Sequence, residues 1–162
     1  MAKKDEILQK LRAMLSEEAV CTDEQDRSGI AFSAQVPAAK LRDAASACES
    51  AGFYLESITG LDFRDTAELV YHLNCYEPMS RLALRVLCRL DEAHPTLSDI
   101  FPSALWLERE VHEFFGVAFL DHPDLRPLLL PEDADYHPLQ KTFGKVYAYR
   151  ERKEIYGSGS NE

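Results

Sequence analysis

The sequence predicts an α+β domain: a small, mostly antiparallel sheet with packed helices, followed by an extended, proline-broken C-terminal segment. Three observations point there. Helical patterns come first in the chain, and two segments of strict period-two alternation follow. After Gly116, Pro123, Pro127, Pro131 and Pro138 interrupt regular structure while large apolar residues persist. At 162 residues and 46% hydrophobic content, the chain is long enough for one core.

Residues 3–18 carry Ile7, Leu8, Leu11, Met14 and Leu15 at helical spacing, which predicts an amphipathic first helix. Residues 29–36 alternate as a strand. Pro37 suits the first turn of a second helix, where its missing N–H costs nothing, and that helix runs over 38–50 to a left-handed stop at Gly52. Three strands come next. The first spans 53–60. In 68–76, Leu69, Tyr71, Leu73 and Cys75 share one face, with Glu68, His72 and Asn74 on the other. In 81–90, Leu82, Leu84, Val86, Cys88 and Leu90 oppose Arg81, Arg85 and Arg89, the pattern of antiparallel strands with one wet face. The link through Glu77-Pro78-Met79 is short enough for a hairpin. Pro102-Ser103 opens a further helix over 104–115, closed by Gly116. The division expected is an α+β domain over 1–116 and a partner-binding segment with a flexible tail over 117–162, ending in Gly157-Ser158-Gly159-Ser160.

A net charge of −10 argues against nucleic acid and against docking on anionic lipid, both of which need a basic surface. No apolar run approaches the roughly 18 residues of a membrane helix, and the first residues turn acidic at once instead of forming a secretion signal. A soluble, cytoplasmic chain is expected. Cys21, Cys48, Cys75 and Cys88 form no CxxC pair and no zinc-ligand spacing with histidine, so no metal or iron–sulfur cluster is expected.

Two regions concentrate the functional signal. On a helical wheel of 104–115, Trp106, Leu107, Val111, Phe114 and Phe115 form an apolar face, and Glu108, Arg109, His112 and Glu113 lie opposite. Glu110 falls inside the apolar face. Its carboxylate either fastens the helix to an arginine, in this chain or a partner, or reaches water from a rim position. The second region is 117–145, a long stretch without predicted regular structure that is nonetheless rich in leucine and aromatic residues. Such a strip needs a surface, either its own sheet or a larger partner, and the partner is the preferred reading. His122, Asp124, Glu132, Asp133, Asp135 and His137 supply acid–base groups. There is no HExxH, no nucleophile elbow and no phosphate-cradling loop, so His122-Pro123-Asp124 and Tyr136-His137-Pro138 read as turn chemistry before catalysis.

The ordered words Glu108-Arg109-Glu110, Glu113-Phe114-Phe115, His122 and Arg126-Pro127-Leu128-Leu129 resemble the hallmark segment of the respiratory-chain NADH dehydrogenase 30 kDa subunit family, whose members belong to bacterial NADH-quinone oxidoreductases. Val70-Tyr71-His72-Leu73, Ser98-Asp99-Ile100-Phe101-Pro102, Leu130-Pro131-Glu132-Asp133 and His137-Pro138-Leu139 extend the likeness over roughly 53–145. Tyr136, Gln140, Thr142 and Gly144 depart from the pattern.

The resemblance implies a cofactor-free structural subunit of the peripheral arm of complex I, held on the cytoplasmic face of the inner membrane through its complex. Its partners would be the large quinone-site (49 kDa-type) subunit and the iron–sulfur subunits. On this reading Glu108, Arg109, Glu110, Glu113, His122, Asp124, Arg126, Pro131, Glu132 and His137 form the partner interface, with Arg126 clamping a carboxylate or carbonyl. The equivalent subunit of an energy-converting nickel-iron hydrogenase or a non-NADH complex I-like enzyme is the alternative. An independent enzyme built on His122 and the nearby carboxylates is a third reading, of another class.

Overall fold

The computed structural model describes residues 3–22, 29–63, 66–77, 79–90 and 92–144. The Gly157–Ser160 stretch lies outside the described residues.

Helix α1 (Lys3–Met14) buries Ile7 and Leu11 and carries Asp5 and Glu6 in its first turn, where the helix dipole favours acids. Strand β1 (Val20–Cys21) pairs antiparallel with β2 (Ile30–Gln35). After Pro37 the chain makes a 3-10 turn over Ala38–Lys40 before α2 (Leu41–Ser50), so the second helix is tighter at its start than its sequence suggested. Its end is a Schellman motif. Gly52 sits at φ 85° and its N–H reaches the Glu49 carbonyl, while Phe53 N–H reaches Cys48 at 3.0 Å.

Strands β3 (Tyr54–Asp62), β4 (Ala67–Tyr76) and β5 (Met79–Cys88) form the expected meander, with Tyr76 opposite Met79 at the hairpin. The five-stranded order is β1-β2-β5-β4-β3, antiparallel except where β2 runs parallel to β5. The odd-numbered face of β4 joins Phe32, Leu82, Leu84 and Val86, and residues from α1 and α2, in a single core. Cys75 and Cys88 lie in it as small hydrophobes, and burial pushes the Cys88 thiol up to about 12.

The second face is not wet throughout. Glu68, expected in solvent, is fully buried, because Arg85 from the neighbouring strand lies 3.2 Å from its carboxylate, and Val70 and Ala83 on that face are buried too.

Beyond the sheet, β6 (Ala93–Pro95) leads to α3 (Ala104–Phe115), which has the predicted bounds. Gly116 closes α3 at φ 77°. Contrary to the expectation of no regular element after Gly116, Ala118–Leu120 form a strand, β7, parallel to β6. Val117 and Phe119 belong to the main core.

Candidate functional site

Helix α3 is held on both sides, and this overturns the helical-wheel expectation. Glu108 and Glu113, set opposite the apolar face by the wheel, are buried at 0% and 4% exposure, whereas Trp106, set on that face, is 59% exposed. Glu110 is exposed, as in the rim-position reading. The wheel counts only local periodicity. Residues 96–98 and the segment after β7 cover the side of α3 that carries the acids.

Glu108 faces the turn that precedes α3. Its carboxylate accepts the Thr96 hydroxyl at 2.5 Å and the Leu97 N–H at 2.7 Å. That turn is fixed from α2, because Arg42 donates to the Thr96 carbonyl and pairs with both oxygens of Asp99. Desolvation is the main force on Glu108 and raises its carboxyl to about 7. Burial also lowers the pKa of His122, whose Nε2 lies 3.9 Å from the Glu108 carboxylate. Nδ1 of His122 accepts the Asp124 N–H at 3.0 Å, which leaves the ring proton on Nε2, facing the Leu105 carbonyl at 3.3 Å. The residue is thus the turn-former that its place before proline suggested. With both nitrogens engaged locally and the side chain fully buried, it is not poised as a general base.

Residues 122–144 form a strap whose backbone is fastened to α3. Arg109 donates from Nε to the Arg126 carbonyl at 2.8 Å and from Nη2 to the Pro127 carbonyl at 2.7 Å. Its guanidinium lies 5.4 Å from the Trp106 ring centre. The Glu113 carboxylate accepts the successive N–H groups of Leu128, Leu129 and Leu130 at 2.8 to 3.1 Å. The strap also closes the end of the helix. A helix leaves its last carbonyls without intrahelical donors. Here His112 receives the Gly116 N–H, Glu113 the His137 ring Nδ1, Phe114 the Leu139 N–H and Phe115 the Gln140 side-chain amide. A Cβ on Gly116 would meet His137 and Gln140 at 2.8 to 2.9 Å, so glycine is required there by contact as well as by its positive φ.

The carboxylate that Arg126 clamps is Asp124, two residues back, through contacts of 2.8 and 2.9 Å, and its side chain is 77% exposed. Arg126 holds the Asp124 carboxyl well below the usual carboxylate range. Pro131 and Glu132 are exposed on the strap. The structure therefore brings Glu108, Arg109, Glu113, His122, Asp124, Arg126 and His137 into one latch, and leaves Glu110, Pro131 and Glu132 outside its hydrogen bonds. Sequence reasoning missed Thr96, Leu97, Gln140 and the exposed Trp106. Gln140 was visible only as a departure from a pattern, and its amide turns out to be a helix-end donor. Outward from the latch, Trp106, Leu120, Leu129, Tyr136, Leu139 and Phe143 stand exposed. Among the described residues no group of three or more metal-ligating side chains is assembled, and no helix is long and apolar enough to cross a membrane.

Fold and site together define an α+β chain whose C-terminal strap is latched by its backbone and displays apolar side chains. The family described as the respiratory-chain NADH dehydrogenase 30 kDa subunit matches residues 34–148, more than half of the chain, and the chain belongs to that family. An NADH-quinone oxidoreductase subunit of Ruegeria pomeroyi, the one lettered C, is 40% identical over 92 residues, covering 55% of this chain and 46% of that protein. Its counterpart in Roseiflexus sp. is 38% identical over 94 residues, 54% of this chain and 53% of that protein. The chain thus spans about half the length of the curated relatives it matches. Among solved structures, a chain of the membrane-bound sulfane sulfur reductase, an archaeal respiratory membrane complex, superposes with a TM-score of 0.72 at 27% identity, over 99% of this chain and 96% of that one. A trypsin-resistant fragment of Nqo5 superposes with a TM-score of 0.64 at 27% identity, over 76% of this chain and 99% of the fragment.

Proposed function

We propose that this chain is a structural subunit of the peripheral arm of a proton-pumping NADH-quinone oxidoreductase. It packs α3 and the strap on the large quinone-site subunit, beside the iron–sulfur subunits, at the cytoplasmic face of the inner membrane. It contributes no cofactor and no catalytic group. The observation that carries this reading is the polarity of the strap. Leu129 gives its N–H to Glu113 yet is 66% exposed, and Leu139 gives its N–H to Phe114 yet is 54% exposed. A segment whose backbone is already ordered loses little entropy when its side chains are covered, which is how preorganised interfaces gain affinity. Exposed leucine and aromatic side chains along such a segment mark an interaction surface.

A second reading has its own support. The superposition on the sulfane sulfur reductase chain spans nearly the whole of both chains, whereas the curated NADH-quinone oxidoreductase relatives are matched over about half their length. That favours membership of a complex I-like enzyme with a donor other than NADH, the hydrogenase type included.

Pull-down of the tagged full chain from native membranes, with its companions identified by mass spectrometry, tests both. Recovery of a large quinone-site subunit and iron–sulfur proteins with wild type, and their loss with Leu129→Asp, is the expected result. The identity of the electron-input module separates the two readings. Recovery of the chain alone, with turnover of its own, overturns both.

A further inference from the structure

Between β3 and α3 lies a cleft of about 200 Å³, lined by Ile58, Val111, Phe114 and Phe115 with Glu110 and Leu139 also on its wall. The Phe115 ring lies so close to Gly60 that a Cβ there would be 2.7 Å away. The absence of a side chain at Gly60 is therefore what lets the ring settle against β3. The volume falls below the roughly 300–1,000 Å³ of small-molecule pockets and suits one large side chain.

Glu110 supplies the second observation. It is exposed and makes no ion pair or side-chain hydrogen bond with a described residue. The nearest arginine in sequence, Arg109, is committed to the strap carbonyls. Trp106 and Phe114, one helical turn to either side, give this carboxylate apolar neighbours. Covering it without a cation would strand an unpaired buried charge, which proteins avoid.

We infer that the cleft and Glu110 form one socket, taking from the partner a large apolar side chain and, beside it, an arginine that pairs with Glu110. Arginine fits better than lysine, because its planar fork binds a carboxylate through two bonds and lies flat against aromatic rings. On the strap, Glu132, Asp133 and Asp135 are exposed as well, and an acidic surface of this kind favours a basic partner. The inference rests on the partner-packing reading above and deepens it.

The test uses the tagged full chain incorporated in native membranes, with a photo-reactive benzophenone side chain in place of Leu139. Irradiation should crosslink a single peptide from a larger protein of the complex, with an arginine within a few residues of an apolar side chain. In parallel, Glu110→Gln should lower the recovered complex about tenfold, and Glu110→Lys should abolish recovery, with unchanged melting of the free chain. A crosslinked peptide without a cation, a crosslink to a second copy of this chain, or full recovery with Glu110→Lys overturns the socket while leaving partner packing intact. Failure of the wild-type chain to bring down any large partner overturns the packing reading itself.

Discussion

Glu108 and Glu110 sit two residues apart on α3 and have opposite fates, because one faces the turn over 96–98 and the other faces solvent. Burial of Glu108 has a consequence for pH. Its ordinary value is 4.5 and its folded value about 7, so between these the folded chain holds a proton that the unfolded chain has lost. Stability therefore falls as pH rises through that window, by about 3 kcal/mol in all, and levels off above it. His122 acts in the opposite sense: burial lowers its folded pKa below 6.5, so acidification protonates the unfolded chain first and costs stability. Glu108→Gln isolates the first effect, since glutamine accepts the Leu97 N–H and can donate to Thr96. The urea midpoint of the variant should gain on that of the parent between pH 5 and pH 8, ending the higher; parallel profiles would refute the assignment. The composition of this residue pair was legible in the sequence, but which carboxylate is buried was not. That depends on contacts from outside the helix, and periodicity carries no information about them.

At the scale of elements, what could be read were the long, strongly periodic segments. The alternation of Leu69, Tyr71, Leu73 and Cys75 against Leu82, Leu84 and Val86 set β4 and β5, and Gly52 and Gly116 marked two helix ends. Strands β6 and β7 have three residues each, one of them Pro95, too few for a period to emerge. They exist because their backbones pair with each other, a non-local fact. The strap is similar: prolines announced that it would be extended, but not that Glu113 would gather three of its N–H groups. Glu113→Ala strands those donors, and charge-assisted bonds of this kind contribute about 1.5–3 kcal/mol each at most. Amide exchange at Leu128, Leu129 and Leu130 should accelerate at least about tenfold, while Tyr71 and Leu84 in the central strands keep their protection. Equal acceleration in both places would mean that Glu113 supports the whole fold and not the strap.

At the scale of the whole molecule, the parallel pairing of β2 with β5 was not legible, because a strand of given period fits a parallel or an antiparallel neighbour equally well. The same scale decides how far the folding unit extends. A division after residue 116 follows the sequence punctuation, yet Val117 and Phe119 are 1% and 4% exposed in the main core, and Thr96 N–H bonds the Leu120 carbonyl at 3.1 Å. Two truncations weigh these against the strap. A chain ending at Gly116 loses both core side chains and the partner of β6; removing a buried phenylalanine alone costs about 3–5 kcal/mol, comparable to the total stability of many domains. It should melt far below the parent or fail to fold. A chain ending at Leu125 keeps β7, His122 and the partly buried Leu125, and gives up only the latched strap. It should melt cooperatively within several degrees of the parent, because the sheet, both N-terminal helices and the core under α3 are untouched, while losing its capacity to retain a large partner. If the Gly116 truncation melts like the parent, the core contribution of Val117 and Phe119 is refuted; if the Leu125 truncation unfolds, the strap is part of the fold's foundation as well as its outer surface.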